Sequence, residues 1–210
     1  MKRTILAVSA LSLLMLSACF QKSISPFYSE DKLIFLSEIE GEWTDNNSYR
    51  ITINKGEDYA YEMTAVDDKG QSIASLSVHF FKIFGTTFMD LYPEDLNPDI
   101  SNSYYSNSIL PMHSVVRVSV KDASIELEPL NSEWVYNTVI SGKYPISHRV
   151  LDGNDMVLLT GDTNEQQNFL AYSINYKDAY RESDKITWKR LQKSGNCQDT
   201  RLSVSLDQDQ

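Results

Sequence analysis

From Tyr49 to Leu191 apolar side chains fall mostly at every second position, in short runs cut by turn-forming residues. Period two sends successive side chains to opposite faces of an extended backbone, so the pattern predicts half-buried β-strands. Tyr49, Ile51 and Ile53 alternate with Arg50, Thr52 and Asn54 up to Lys55-Gly56-Glu57-Asp58. Tyr59, Tyr61, Met63 and Ala65 then take one face as far as Asp67-Asp68-Lys69-Gly70, which makes a hairpin of the two runs. Ala74, Leu76, Val78 and Phe80 repeat the alternation, but the phase slips at Phe80-Phe81, predicting a bulge or bend before Gly85. Thr87-Phe88-Met89-Asp90-Leu91 predicts a fourth strand, and Pro93 to Ser108 a polar loop that is long for a compact domain.

Val116, Val118 and Val120, then Ile125 and Leu127, give another hairpin across Asp122. Ser132 can cap a short helix that carries Trp134, Val135, Thr138 and Val139 on one face, ended by Gly142 and Pro145. His148 to Leu151 and Met156 to Thr160 pair around Asp152-Gly153-Asn154-Asp155. Thr163 and Gln166 form a capping box for a second helix with Phe169, Leu170, Ser173 and Ile174 at helical spacing, and Ile186 to Leu191 reads as the closing strand. About eight or nine antiparallel strands in near-sequential order predict a mostly β fold, an up-and-down barrel with two short helices, because closure removes exposed edges. A two-sheet sandwich is the alternative.

The N-terminus has a different pattern. Met1-Lys2-Arg3 is a short positive segment, and Thr4 to Leu16 is an uncharged apolar run, the form of an export signal. That run is well short of the ~20 residues that span a bilayer. Leu16-Ser17-Ala18-Cys19 resembles the lipobox of bacterial lipoproteins: an aliphatic residue, two small residues and a cysteine. The resemblance implies cleavage before Cys19 and acylation of that residue, with palmitate among the chains, and several chains anchor a protein stably where one does not. It also implies a cell-envelope location, and Phe20 in place of the Asp that retains such proteins at the inner membrane implies delivery to the outer membrane if the cell is Gram-negative.

The chain therefore divides into a signal at residues 1–18, a lipidated polar tether at 19–26, a barrel domain at 27–191 and a polar tail at 192–210 with too few apolar residues to order. With the signal removed, 17 basic residues face 29 acidic ones, a formal charge of −12. That balance disfavours nucleic acid and other polyanions as partners. Lipidation of Cys19 leaves Cys197 as the remaining thiol, so an internal disulfide is excluded.

Ile39-Glu40-Gly41-Glu42-Trp43 resembles the Gly-x-Trp opening of lipocalin and calycin barrels. In that family the tryptophan plugs the barrel floor beneath a basic side chain of the last strand, a role that falls here to Arg190 or Lys189. A Thr-Asp-Tyr motif is absent and two helices interrupt the later strands, both departures from the family. Tyr59, Tyr61, Phe80, Phe88 and Trp188 are candidate lining residues for a cavity, since an eight-stranded barrel either fills its interior or holds one small ligand. His79, His113 and His148 lie on separate elements without metal-ligand spacing, and neither a nucleophile elbow, a phosphate loop nor a zinc-hydrolase motif is present. Asp90, Glu94 and Asp95 form an acidic group at a strand end that could meet calcium or a cationic partner, or simply open a solvated loop. The expectation is a non-enzymatic envelope protein without cofactor or metal. It either holds a hydrophobic small molecule or lipid in its barrel, or works as an anchored interaction or structural module with a filled barrel.

Overall fold

A computed structural model describes residues 20–45, 49–94, 111–151 and 156–191. The expected signal, Cys19, Asp95, most of the Pro93–Ser108 loop and the polar tail lie outside them. The alternating runs form β2 (Gly41–Thr44), β3 (Arg50–Lys55), β4 (Ala60–Val66), β5 (Ser72–Ile83), β6 (Thr86–Pro93), β7 (His113–Lys121) and β8 (Ser124–Pro129). Each is antiparallel to the next. The last strand, β11 (Ile186–Arg190), pairs with β8 on one side and β2 on the other. The eight strands therefore close into an up-and-down barrel of lipocalin-like form, and the hydrogen-bonded β6–β7 and β2–β11 seams exclude a two-sheet sandwich.

Between β8 and β11 the chain forms an annex outside the barrel wall. It contains α1 (Ser132–Ile140), β9 (His148–Leu151), β10 (Met156–Leu159) and α2 (Thr163–Ser173). Asn131, rather than Ser132, caps α1 by accepting from Glu133 N at 3.1 Å. Asp162 caps α2 by accepting from Glu165 N at 2.9 Å, while Gln166 is buried instead of serving a capping box.

The stretch expected to be a free tether is a correction. Residues Gln21–Ser23 form β1, antiparallel to β7 and parallel to β10. The cause is an unfilled edge: β8 pairs with β7 only from Val116 onward, which leaves His113–Val115 with open backbone groups that β1 takes up. Gln21 and Ser23 are buried, and Gln21 Nε2 donates to Val157 O at 2.7 Å. Strands β9 and β10 pair as expected, but they extend this side arm and take no part in the barrel.

Two apolar cores result. Inside the barrel Trp43, Ile53, Tyr61, Val78, Phe80, Met89, Ile125, Leu127 and Trp188 meet. Outside, Phe27, Phe81, Ile83, Phe88 and Val115 of the strap and wall meet Leu130, Val135, Val157, Leu159, Phe169 and Leu170 of the annex. This accounts for Phe80-Phe81, where the register of β5 on β6 runs through without a bulge. Phe80 points inward and Phe81 outward, and both are buried because the annex covers that part of the wall. The register shift falls instead at Ala65/Val66 between β4 and β5.

Candidate functional site

The barrel interior is the first place to look for a ligand, and its central side chains are closely packed. Ile53, Tyr61, Val78, Phe80, Met89, Ile125 and Leu127 each have zero solvent-accessible surface. A chamber large enough for a fatty chain would leave its lining atoms accessible to a water-sized probe. Tyr61 and Phe80 meet edge to face at 5.3 Å, and the Tyr61 hydroxyl accepts from Leu36 N at 2.8 Å, tying the segment before β2 across the barrel end. Phe35 stacks on Tyr61 at 5.7 Å with the Lys55 ammonium 4.7 Å above its ring.

Of the five candidate lining residues, Tyr61, Phe80 and Trp188 belong to this packed interior. Phe88 is a correction: its neighbour Met89 takes the inward position, so Phe88 faces out and stacks on Phe81 at 5.6 Å beneath the annex. Tyr59 is a second correction. It sits in the β3–β4 turn with a left-handed φ of 65° and is 54% exposed.

At one end of the barrel Trp43 is fully buried and its Nε1 donates to Ile39 O at 2.9 Å. The Arg190 guanidinium lies over the indole at 4.1 Å. Register explains the meeting, since Arg190 pairs directly with Trp43 across the β11–β2 seam. Arg190 Nη1 donates to Glu40 O at 2.9 Å and Nη2 to Glu38 O, so the guanidinium also satisfies carbonyls at the turn Ser37–Ile39. Lys189, the other candidate, points to solvent. Gly41 is needed for this fit: its φ is 127°, and a Cβ there would stand 2.9 Å from Arg190 Nη1.

A polar cluster lies on the outer face of the wall. Asp90, which the sequence placed among rim carboxylates, is instead fully buried. Its Oδ2 accepts from Phe27 N at 2.9 Å, and its Oδ1 meets His113 Nδ1 at 2.8 Å. Glu94 is exposed and separate from it. His79 is opposite Asp90 in the β5–β6 register and stacks on Tyr28 at 4.2 Å. Burial holds the His79 pKa below its ordinary value, with Asp90 pulling it up and His113 pushing it further down. Burial likewise raises the Tyr28 hydroxyl, reinforced by Asp90 and Glu30. The cluster is a clasp: a carboxylate and two imidazoles fasten residues 27 and 28 to the barrel wall. The signal for it was a charge in the middle of an otherwise apolar strand, which demands buried partners.

The annex carries an aromatic group at its surface. Trp134 of α1, Tyr144, and Tyr172 and Tyr176 at the end of α2 pack with ring centroids 4.6–6.2 Å apart. Those separations are ring-to-ring contact, so the group is a platform rather than a cage. Burial and Glu165 raise the Tyr144 hydroxyl, and a hydrogen bond with Tyr176 raises that of Tyr172. A further open depression of about 380 Å³ at the barrel end is lined by polar groups that include Glu38, Lys82, Arg117, Ser119 and Glu128.

Among the described residues no three His, Cys, Asp or Glu side chains converge as a metal site, and no helix is long and apolar enough to cross a membrane. Comparison with protein-family models, with curated proteins and with solved structures finds no match to this chain.

Proposed function

We propose that the chain is an envelope lipoprotein, held by acyl chains on Cys19, whose barrel is a solid scaffold that displays an interaction surface rather than a carrier with a ligand chamber. The observation that carries the scaffold reading is the absence of accessible surface on the inward side chains Ile53, Tyr61, Phe80, Met89 and Leu127. The anchor rests on Leu16-Ser17-Ala18-Cys19 behind an export signal. For contact with a protein partner the annex offers Trp134, Tyr144, Tyr172 and Tyr176, residue types that favour interfaces because an apolar ring and a polar tip sit on one side chain.

Native mass spectrometry of the mature protein from a bacterial host tests the scaffold. The expected species is the polypeptide with its covalent acyl groups alone, and a stoichiometric non-covalent lipid overturns it. The anchor is tested by metabolic labelling with palmitate, which Cys19→Ser should abolish. Label retained by that variant rejects Cys19 as the site.

A further inference from the structure

The order of the meander puts the β3–β4, β5–β6 and β7–β8 turns together at one end of the barrel. Two of these turns carry large aromatic side chains, one almost fully exposed and one half exposed. Phe84, between β5 and β6, is 88% exposed with φ of 46°, and Tyr59, between β3 and β4, is 54% exposed. Among the described residues only Asp58, Tyr59 and Phe84 combine a side chain with positive φ. Glycine or asparagine fits such backbone best, and bulky rings there are uncommon. An aromatic residue displayed at a tight turn gives the folded domain no packing of its own, so its use lies outside the domain.

The direction of β1 says what lies there. Because β1 runs antiparallel to β7, its Cys19 side points toward the end of the barrel that bears the β7–β8 turn, and therefore toward Phe84 and Tyr59. Phe20, the first described residue, already packs on the barrel core, which leaves no free leash between Cys19 and the fold. On the side arm, β10 is parallel to β1, so Leu151, paired with Met156, lies at the same end of the arm and is 36% exposed, with Val150 beside it at 38%.

We propose that this end of the molecule rests on the bilayer, with Phe84 and Tyr59 set into the interfacial layer as secondary anchors, so that the lipidated domain is held close and in a fixed orientation. The inference rests on the anchoring of Cys19 proposed above. Rings of this kind settle at the boundary between headgroups and acyl chains, and two or more weak attachments combine into a stable one. Glu57 and Asp58 immediately precede Tyr59, and the mature chain is acidic, so the surface that fits is a bilayer of neutral rather than anionic headgroups.

The experiment uses the full chain, processed in a bacterial host, purified and returned to phosphatidylcholine vesicles. With Cys197→Ser in place, a nitrobenzoxadiazole reporter is attached to Phe84→Cys or, at the opposite end of the barrel, to Lys69→Cys in the β4–β5 turn. Both positions are exposed, so neither substitution disturbs packing. The expected result is a blue shift at position 84 on vesicles, with dithionite reduction slowed several-fold relative to position 69. Palmitate labelling is measured on the same samples. A labelled, vesicle-bound protein whose reporter at 84 is reduced as fast as that at 69 overturns the orientation while leaving the anchor intact. A chain without palmitate removes the anchor and the orientation with it.

Discussion

The interior of the barrel and the core outside its wall share strands β5, β6 and β7, yet they are closed by different means. The inner core is enclosed by neighbours in sequence from β2 to β8, and β11 closes the ring from a distance, pairing with β8 on one side and with β2, under Trp43 and Arg190, on the other. The outer core is a lid: residues 20–34, two helices and a three-stranded arm laid over the wall, fastened at Asp90 and at Gln21. Both bury rings of similar size, so the number of buried aromatics does not separate them. What separates them is redundancy. Each barrel strand has two hydrogen-bonded neighbours, whereas β9 has β10 alone. The lid should therefore open before the barrel does.

The largest expected effect is at the barrel seam. Trp43→Ala removes a fully buried indole and its stacking with Arg190, and should cost about 3–5 kcal/mol in equilibrium urea denaturation. Glu42→Ala, next to Gly41 on the exposed face of β2, serves as the control and should stay within about 0.5 kcal/mol. A Trp43→Ala protein as stable as the parent would show that the β2–β11 seam does not depend on the buried indole.

Phe169→Ala probes the other core with similar chemistry, at about 3–5 kcal/mol of local loss. Here hydrogen exchange is the sharper measurement. Amides of α1, α2 and β10 should lose protection while those of β3 and β4 keep theirs, and equal loss across both sets would show that barrel and lid unfold as one unit.

A smaller effect is expected from Asp90→Asn, which keeps the shape but sets an amide N–H against either Phe27 N–H or His113. It should cost about 1–3 kcal/mol, with the loss concentrated in residues 20–34.

The smallest concerns pH. The folded-state pKa of His79 lies below its unfolded value, so between the two the unfolded chain binds more protons and stability rises with pH. On acidification through and below the ordinary histidine range, the lid should loosen. His79→Gln should flatten that part of the profile when thermal melting is followed from neutral pH downward. An unchanged profile would place the acid sensitivity elsewhere.

Alternation made the barrel legible where one face of a strand meets solvent: Tyr61, Met63 and Val78 could be assigned inward directly from parity. It failed where both faces are dry. Phe80-Phe81 and Phe88-Met89 read as phase errors or cavity walls until the annex is known to cover the outside. Strand β1 was hidden for another reason. Gln21-Lys22-Ser23 has no strand propensity to speak of, and its place is set by an open edge on β7, far along the chain. Lys22 illustrates the cost of that placement: its amine donates to Ser114 Oγ at 2.7 Å and burial depresses its pKa, neither of which local sequence foretells. The clasp at Asp90 was half visible as a charge in an apolar strand, but its partners at Phe27 and His113 come from two other parts of the chain.

The position of β1 also sets an order of events in time. Its contacts reach across 92 residues to Ser114 and 136 residues to Val157, so a chain made from its N-terminus cannot lock β1 fully until β10 has arrived. Until then strands β2 to β8 can already pair with their neighbours in sequence. Completion of the annex then draws residues 21–28 into the fold. Docking of the N-terminal strand is thereby timed by a strand that comes late in the chain.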